Sequence, residues 1–149
     1  MLDPDLILLN VEAKKSEDVI NMLGKIMLSK NYVKDNYIDA VLEREKSLPT
    51  GLDTKDICVA IPHTDSGHVN VSSIGIATLK DPVQFSMMVD PEKKLNIDIV
   101  FLLAVKDPNS QIKLLKNLMS VFQNEQLLKN LKSARNKKEV IDLLSFIAV

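Results

Sequence analysis

The sequence predicts an α/β fold: one domain over residues 1–149, built as a three-layer α/β/α sandwich around a mixed central sheet. Three observations carry this expectation. A chain of 149 residues should bury roughly 68 to 70% of its unfolded surface as one domain, enough for a sizeable core. Short, strongly apolar runs read as strands, and segments of helical period lie both before and after them, so both sheet faces need covering. There is no internal repeat, low-complexity tract or long linker to divide the chain.

The elements follow in order. Leu6, Ile7, Leu8 and Leu9 form a short unbroken apolar run, which suits a buried strand. Ser16 offers an N-cap, Glu17 and Asp18 supply carboxylates to the first turn, and Val19, Ile20, Leu23, Ile26 and Met27 recur at helical spacing, so a helix is expected over residues 16–30. Asp35 can cap a second helix with Ile38, Val41 and Leu42 as its inner stripe, ending near Lys46 before Pro49 and Gly51 punctuate the chain. Residues 57–61, 73–78 and 95–105 are the expected central strands, the last being the most strongly apolar run of the chain. Residues 82–89 read as either an edge strand or a loop, because Pro82 cannot donate to a ladder. After Pro108 the period changes, and Ile112, Leu114, Leu115, Leu118, Met119 and Phe122 mark a helix capped by Asn109 or Ser110. Asn124 can open a helix over 125–134, and Asn136 another over 137–147, with Val140, Ile141, Leu144 and Phe146 on its apolar side.

Charge and composition narrow the partners. Nineteen basic against twenty acidic side chains leave a formal charge of −1, so no global field favours nucleic acid or an anionic membrane. No apolar stretch reaches the ~20 residues of a membrane helix, and the start lacks a basic leader and carries Asp3 and Asp5. A single cysteine, Cys58, builds no disulfide framework, and inside an apolar run it reads as a small buried hydrophobe. A cytoplasmic protein is expected.

The chemistry centres on His63, one of two histidines, which ends the apolar run 57–61 immediately after Pro62. An imidazole is largely uncharged at neutral pH and can act as a nucleophile. Pro62 lacks an amide hydrogen and biases Ile61 toward extended geometry, so the ladder should stop there and leave the ring at the edge of a sheet. Ligands of α/β sheets bind beyond the carboxyl ends of strands, and Thr64, Asp65, Ser66 and Gly67 continue as a polar turn. The competing reading is an ordinary hydrogen-bonded histidine. Upstream, Arg44 at a helix end precedes Thr50 and Gly51, a small hydroxyl and a glycine in a loop, and this group could hold a phosphate. The competing reading is a surface arginine that favours the helix dipole.

The combination REKSLPTGL (residues 44–52) and VAIPHT (residues 59–64) resembles the IIA component of the bacterial phosphoenolpyruvate-dependent sugar phosphotransferase system, in its fructose/mannitol class. The wording of the two segments is most similar to galactitol-type members, and the order of elements matches along nearly the whole chain. The resemblance implies a phosphotransferase that works as a phosphoryl carrier. His63 would accept the group from the phosphocarrier HPr and pass it to a cysteine of a IIB component, which serves a IIC permease, while Arg44 would hold the phosphoryl oxygens. Thr50, Gly51, Thr64 and Ser110 are further candidate phosphate contacts. Phosphoryl transfer asks for an in-line nucleophile and positive or N–H groups at the equatorial oxygens, and these residue types supply them.

One departure is visible. Mannitol-type members carry a second histidine at the start of the helix after the last strong strand, where this chain has Asp107, Pro108, Asn109, Ser110 and Gln111. Asn109 or Ser110 could donate to a phosphate there, or simply cap the helix. His68 with Asp65 makes an H-x-D-x-x-H pattern, but zinc sites need three or four ligands, so a solvated loop histidine and no metal or other cofactor are expected. None of the four glycines falls in a nucleotide-cradling pattern, so the phosphoryl donor should be a protein. Leu48, Leu52 and Val69 are candidates for an apolar docking patch around His63. Two alternatives use the same histidine: a regulatory IIA-like sensor of phosphorylation controlling transcription or transport, and a metal-dependent hydrolase with His63 and His68.

Overall fold

A computed structural model describes residues 2–147. Five strands, β1 (Ile7–Val11), β2 (Gly51–Leu52), β3 (Val59–Ala60), β4 (Ser73–Ser86) and β5 (Lys94–Ala104), form one sheet in the order β1-β4-β5-β3-β2. The β1–β4 and β3–β5 pairs are parallel, and β4–β5 and β2–β3 are antiparallel. The sheet is therefore mixed, as expected. Helices α1 (Ser16–Ser29) and α2 (Tyr37–Ser47) pack on one face, and α3 (Pro108–Phe122), α4 (Glu125–Lys132) and α5 (Lys137–Leu143) on the other.

The two cores explain the apolar composition of the strands. Ile99, Phe101, Leu103 and Val105 point to the α3–α5 side, while Val100, Leu102 and Ala104 point to the α1–α2 side. Consecutive residues thus face opposite apolar layers, so a run without polar alternation is what a doubly covered strand requires. Ile97 breaks the alternation by joining the α1–α2 side. The cause is an irregularity at Asp98, where the amides of both Asp98 and Ile99 donate to the Cys58 carbonyl, at 2.9 and 3.4 Å. One extra residue there flips the phase of the strand.

Residues 82–89 are resolved by the same logic. β4 runs on to Ser86 as the long partner of β5, with its register shifted between Thr78 and Val83. Pro82 falls inside that shift, past the last β1 partner at Leu79, so its missing N–H leaves no ladder bond unmade. Short-range expectations also change. Residues 57–61 are strand only at Val59–Ala60, and Gly51, expected in a loop, belongs to the two-residue strand β2. Ser16 is the first residue of α1, with the Asp18 carboxylate accepting the Lys15 amide at 3.2 Å. Asn36 precedes α2 in place of Asp35, and Asp107 caps α3 by accepting the Ser110 amide at 3.0 Å, with Pro108 opening the helix. At α3 the carboxylate prevails because it is the stronger acceptor. Asn124 and Asn136 cap α4 and α5 as expected, and α5 stops at Leu143.

One buried bond ties the helical layer to the sheet end that matters. Tyr37 is fully buried, and its hydroxyl donates to the Leu103 carbonyl at 2.6 Å. Burial without a neighbouring charge drives the phenol pKa strongly upward, so it remains a donor at all ordinary pH values.

Candidate phosphoryl-acceptor site

His63 stands just past the carboxyl end of β3, an inner strand of the sheet, so the ring sits at a strand end and not along a lateral edge. The chain keeps pairing beyond β3, since the Pro62 carbonyl accepts the Leu103 amide at 3.0 Å while Pro62 itself donates nothing. Buried neighbours on both sides, Ile61 at 3% exposure and Thr64 at 6%, hold the backbone while the imidazole is half-buried. Its Nδ1 lies 2.8 Å from the Ile61 carbonyl oxygen. A carbonyl only accepts, so Nδ1 carries the proton and Nε2 keeps its lone pair. Burial lowers the His63 pKa below its ordinary value, the Arg44 charge lowers it further, and the Ile61 carbonyl and Asp65 oppose the shift. The neutral form is favoured.

Arg44 comes from the last turn of α2 and shares an open cleft of ≈ 320 Å³ with His63, Leu48, Pro49, Thr50 and Met88. Among the described residues its only salt bridge is a loose one, 3.8 Å from Nη1 to the exposed Asp65 carboxylate, of little energetic weight. Its Nε is buried with no hydrogen-bond partner among the described residues, and a buried unpaired guanidinium N–H is unusual enough to ask for an anion oxygen. A larger cleft of ≈ 740 Å³ lies between Leu52–Lys55 and the α3–α4 junction. It contains neither His63 nor Arg44, and its Lys55 pairs with Glu125 at 3.5 Å, so size does not locate the chemistry here.

The remaining candidates divide. Thr50 lines the cleft, but its amide and hydroxyl both donate to Glu45, each at 2.8 Å, so both donors are engaged inside the protein. Gly51 serves close packing: a Cβ there would meet the Ser86 carbonyl oxygen at 2.6 Å, and the Gly51 carbonyl accepts the Met88 amide at 2.8 Å. Thr64 directly follows His63 and is buried. Ser110 sits in the first turn of α3, where its amide and hydroxyl both donate to Asp107 at 3.0 Å. It is not among the residues lining the His63 cleft.

Three other expectations change. Val69 is 3% exposed and belongs to the core, and Leu52 packs against the α3–α5 core, whereas Leu48 is 56% exposed beside the cleft. Met88, not singled out by its sequence, lines the cleft and is exposed too, and Val89 follows it in the chain at 77% exposure. Cys58 is only partly buried, with its sulfur 3.7 Å from Asp53, and burial raises its pKa. His68 lies in a short turn whose carbonyl accepts the Lys34 amide at 2.9 Å, and among the described residues no three of His, Cys, Asp and Glu converge to hold a metal. No helix among the described residues is long and apolar enough to cross a membrane. Sequence reading also missed Glu45. The signal available for it was a carboxylate directly after Arg44 and just ahead of the Pro49-Thr50 turn.

The chain is similar to known proteins along nearly its whole length. Residues 1–146 match the family described as phosphoenolpyruvate-dependent sugar phosphotransferase system, EIIA 2. The chain is 30% identical to the galactitol-specific EIIA component of the phosphotransferase system of Escherichia coli K12 over 114 residues, 76% of this chain and 75% of that protein. The crystal structure of IIA mannitol from Escherichia coli superposes with a TM-score of 0.79 at 24% identity, covering 97% of this chain and 99% of that one. The complex of IIA mannitol with phosphorylated IIB mannitol from Escherichia coli superposes with a TM-score of 0.78 at 22% identity, again over 97% and 99%. The two structures share the fold, and the sequence match spans nearly all of it. On these grounds the chain belongs to the EIIA 2 family of the phosphoenolpyruvate-dependent sugar phosphotransferase system.

Proposed function

We propose that His63 Nε2 is the covalent way-station of this EIIA component, accepting a phosphoryl group from phosphorylated HPr and passing it to a cysteine of a IIB partner. The observation that carries the reading is the Nδ1–H bond to the Ile61 carbonyl, which leaves Nε2 as the nucleophile, in a cleft shared with a guanidinium whose Nε is unpartnered. The Nε2 lone pair attacks phosphorus in line, and the N–P bond to the donor histidine breaks with its electron pair returning to the donor ring. The Nδ1 proton stays against Ile61, so the phosphorylated ring is cationic and its N–P bond remains labile for the onward step. Arg44 balances charge on the equatorial oxygens as its loose pairing with Asp65 gives way. Of the other candidates, Thr64 is adjacent to the nucleophile and is the further contact to the bound group that this reading keeps.

Leu48 and Met88, at 56 and 40% exposure, form an apolar rim of the cleft on which donor and acceptor proteins would dock in turn. The similarity to an EIIA component named galactitol-specific, and to a IIA–IIB mannitol complex, supports a IIB acceptor and a polyol as the sugar served. The test is phosphorylation from phosphoenolpyruvate with the first enzyme of the system and HPr, followed by transfer to galactitol-type and mannitol-type IIB proteins. Acid-labile, base-stable label that disappears in His63→Ala is expected, together with discharge to at least one IIB cysteine. A wild-type chain that never labels would refute the proposal.

A further inference from the structure

We propose that Glu45 is a positioning residue for the His63 imidazole, acting through Thr50 and Ile61, an inference that rests on reading His63 as the phosphoryl acceptor. Four hydrogen bonds make the connection. The Glu45 carboxylate accepts both the amide and the hydroxyl of Thr50, each at 2.8 Å; the Thr50 carbonyl accepts the Ile61 amide at 3.4 Å; the Ile61 carbonyl accepts His63 Nδ1–H at 2.8 Å. The carboxylate thus fixes both the Pro49–Thr50 wall of the cleft and the strand end whose carbonyl orients the ring. Among the described residues it makes no hydrogen bond or ion pair with His63 or Arg44, so it contributes by restraint.

The restraint is strongest when Glu45 is ionised, because a neutral carboxyl has one good acceptor oxygen and cannot serve both Thr50 donors equally. Burial pushes its pKa up to about 7, against the lowering effect of the two Thr50 bonds. The charged groups that share its surroundings are Glu17 on α1, Lys46 on α2 and Lys94 on β5, which line the cleft on the α1 side with it, and Arg44, its neighbour in the chain. Carboxylate and clamp form as pH rises through about 7, while burial biases His63 toward its neutral form, and Glu45→Gln, which cannot titrate, separates the two contributions.

The experiment compares wild type with Glu45→Gln, whose single side-chain oxygen can hold one Thr50 donor at every pH. Two readouts are taken from about pH 6 to about pH 8: the rate of phosphoryl transfer from HPr, and the ring ¹⁵N resonances of unphosphorylated His63. In wild type the transfer rate should rise about fivefold across neutrality, the equivalent of one hydrogen bond gained, and the ring resonances should show a second inflection near the Glu45 transition. Glu45→Gln should lose both, matching wild type within about twofold at low pH and lagging about fivefold at high pH. Thr50→Ser keeps both donors and should keep both features, whereas Thr50→Val should flatten them; this pair carries the test if Glu45→Gln folds poorly. Superimposable profiles in wild type and the variants would overturn the proposal. Absence of phosphoryl transfer in wild type would refute the acceptor reading instead, and the resonances would still report whether the clamp exists.

Discussion

Glu45 makes a quantitative prediction about stability that does not depend on catalysis. Its pKa rises from 4.5 to about 7 in the folded protein because burial penalises the carboxylate more than the two Thr50 bonds reward it. The folded state therefore holds its proton more tightly than the unfolded chain. The resulting stabilisation is fully present below the unfolded pKa and is lost as pH rises through about 7. A shift of this size corresponds to at most about 3 kcal/mol, a large fraction of the roughly 5 to 15 kcal/mol that holds a domain together. Glu45→Gln cannot ionise, so its stability should fall less between about pH 4.5 and pH 8, and the wild-type minus variant difference should change by about 3 kcal/mol over that interval. Urea unfolding of both proteins, followed by circular dichroism at several pH values, measures this difference while cancelling every other titrating group. Parallel stability curves would refute the burial argument, and a difference of opposite sign would mean that the Thr50 bonds outweigh desolvation.

Three further outcomes follow from named contacts. Tyr37→Phe should lower unfolding stability by about 1 to 3 kcal/mol by leaving the buried Leu103 carbonyl unpaired; a loss near zero in chemical denaturation would show that the bond contributes nothing net. In Glu45→Gln, which removes the Glu45 step, the rate of His63 labelling should hold level as pH falls toward 6.5 and drop only below it, since burial and Arg44 favour the neutral ring; a midpoint above 6.5 in the pH–rate profile of that variant would contradict the stated environment. Leu48→Asp should slow transfer from HPr about fivefold without moving the urea midpoint, because Leu48 is 56% exposed on the cleft rim; unchanged kinetics would remove it from the docking surface.

The helices were legible because their signal is local. Period and caps at Asn124 and Asn136 depend on residues three or four apart, and the structure reproduces them within a few positions. The strands were legible as apolar runs but not in their limits. Nothing in residues 82–89 announces that β5 will pair with them, or that Pro82 will fall where the register already slips. Val69 and Leu52 looked like surface candidates because hydrophobicity alone does not distinguish a core position from an exposed patch. Caps were misassigned because α1 already starts at Ser16, one residue earlier than a Ser16 cap requires, and because at α3 the Asp107 carboxylate takes the Ser110 amide.

The amino-acid order alone predicted the layered α/β architecture and nominated His63 and Arg44 as candidates, their roles implied by the resemblance of residues 44–52 and 59–64 to a known family, because side-chain chemistry and hydrophobic period are properties of neighbours along the chain. Tertiary structure alone decided which imidazole nitrogen is free, that Thr50 answers to Glu45, and which apolar residues rim the cleft. The deciding partners are close along the chain, Ile61 two residues from His63 and Glu45 five from Thr50. The backbone geometry that forms these bonds, and the solvent boundary at the cleft, are set only once β3 is paired in the sheet and the helical layers have closed around it.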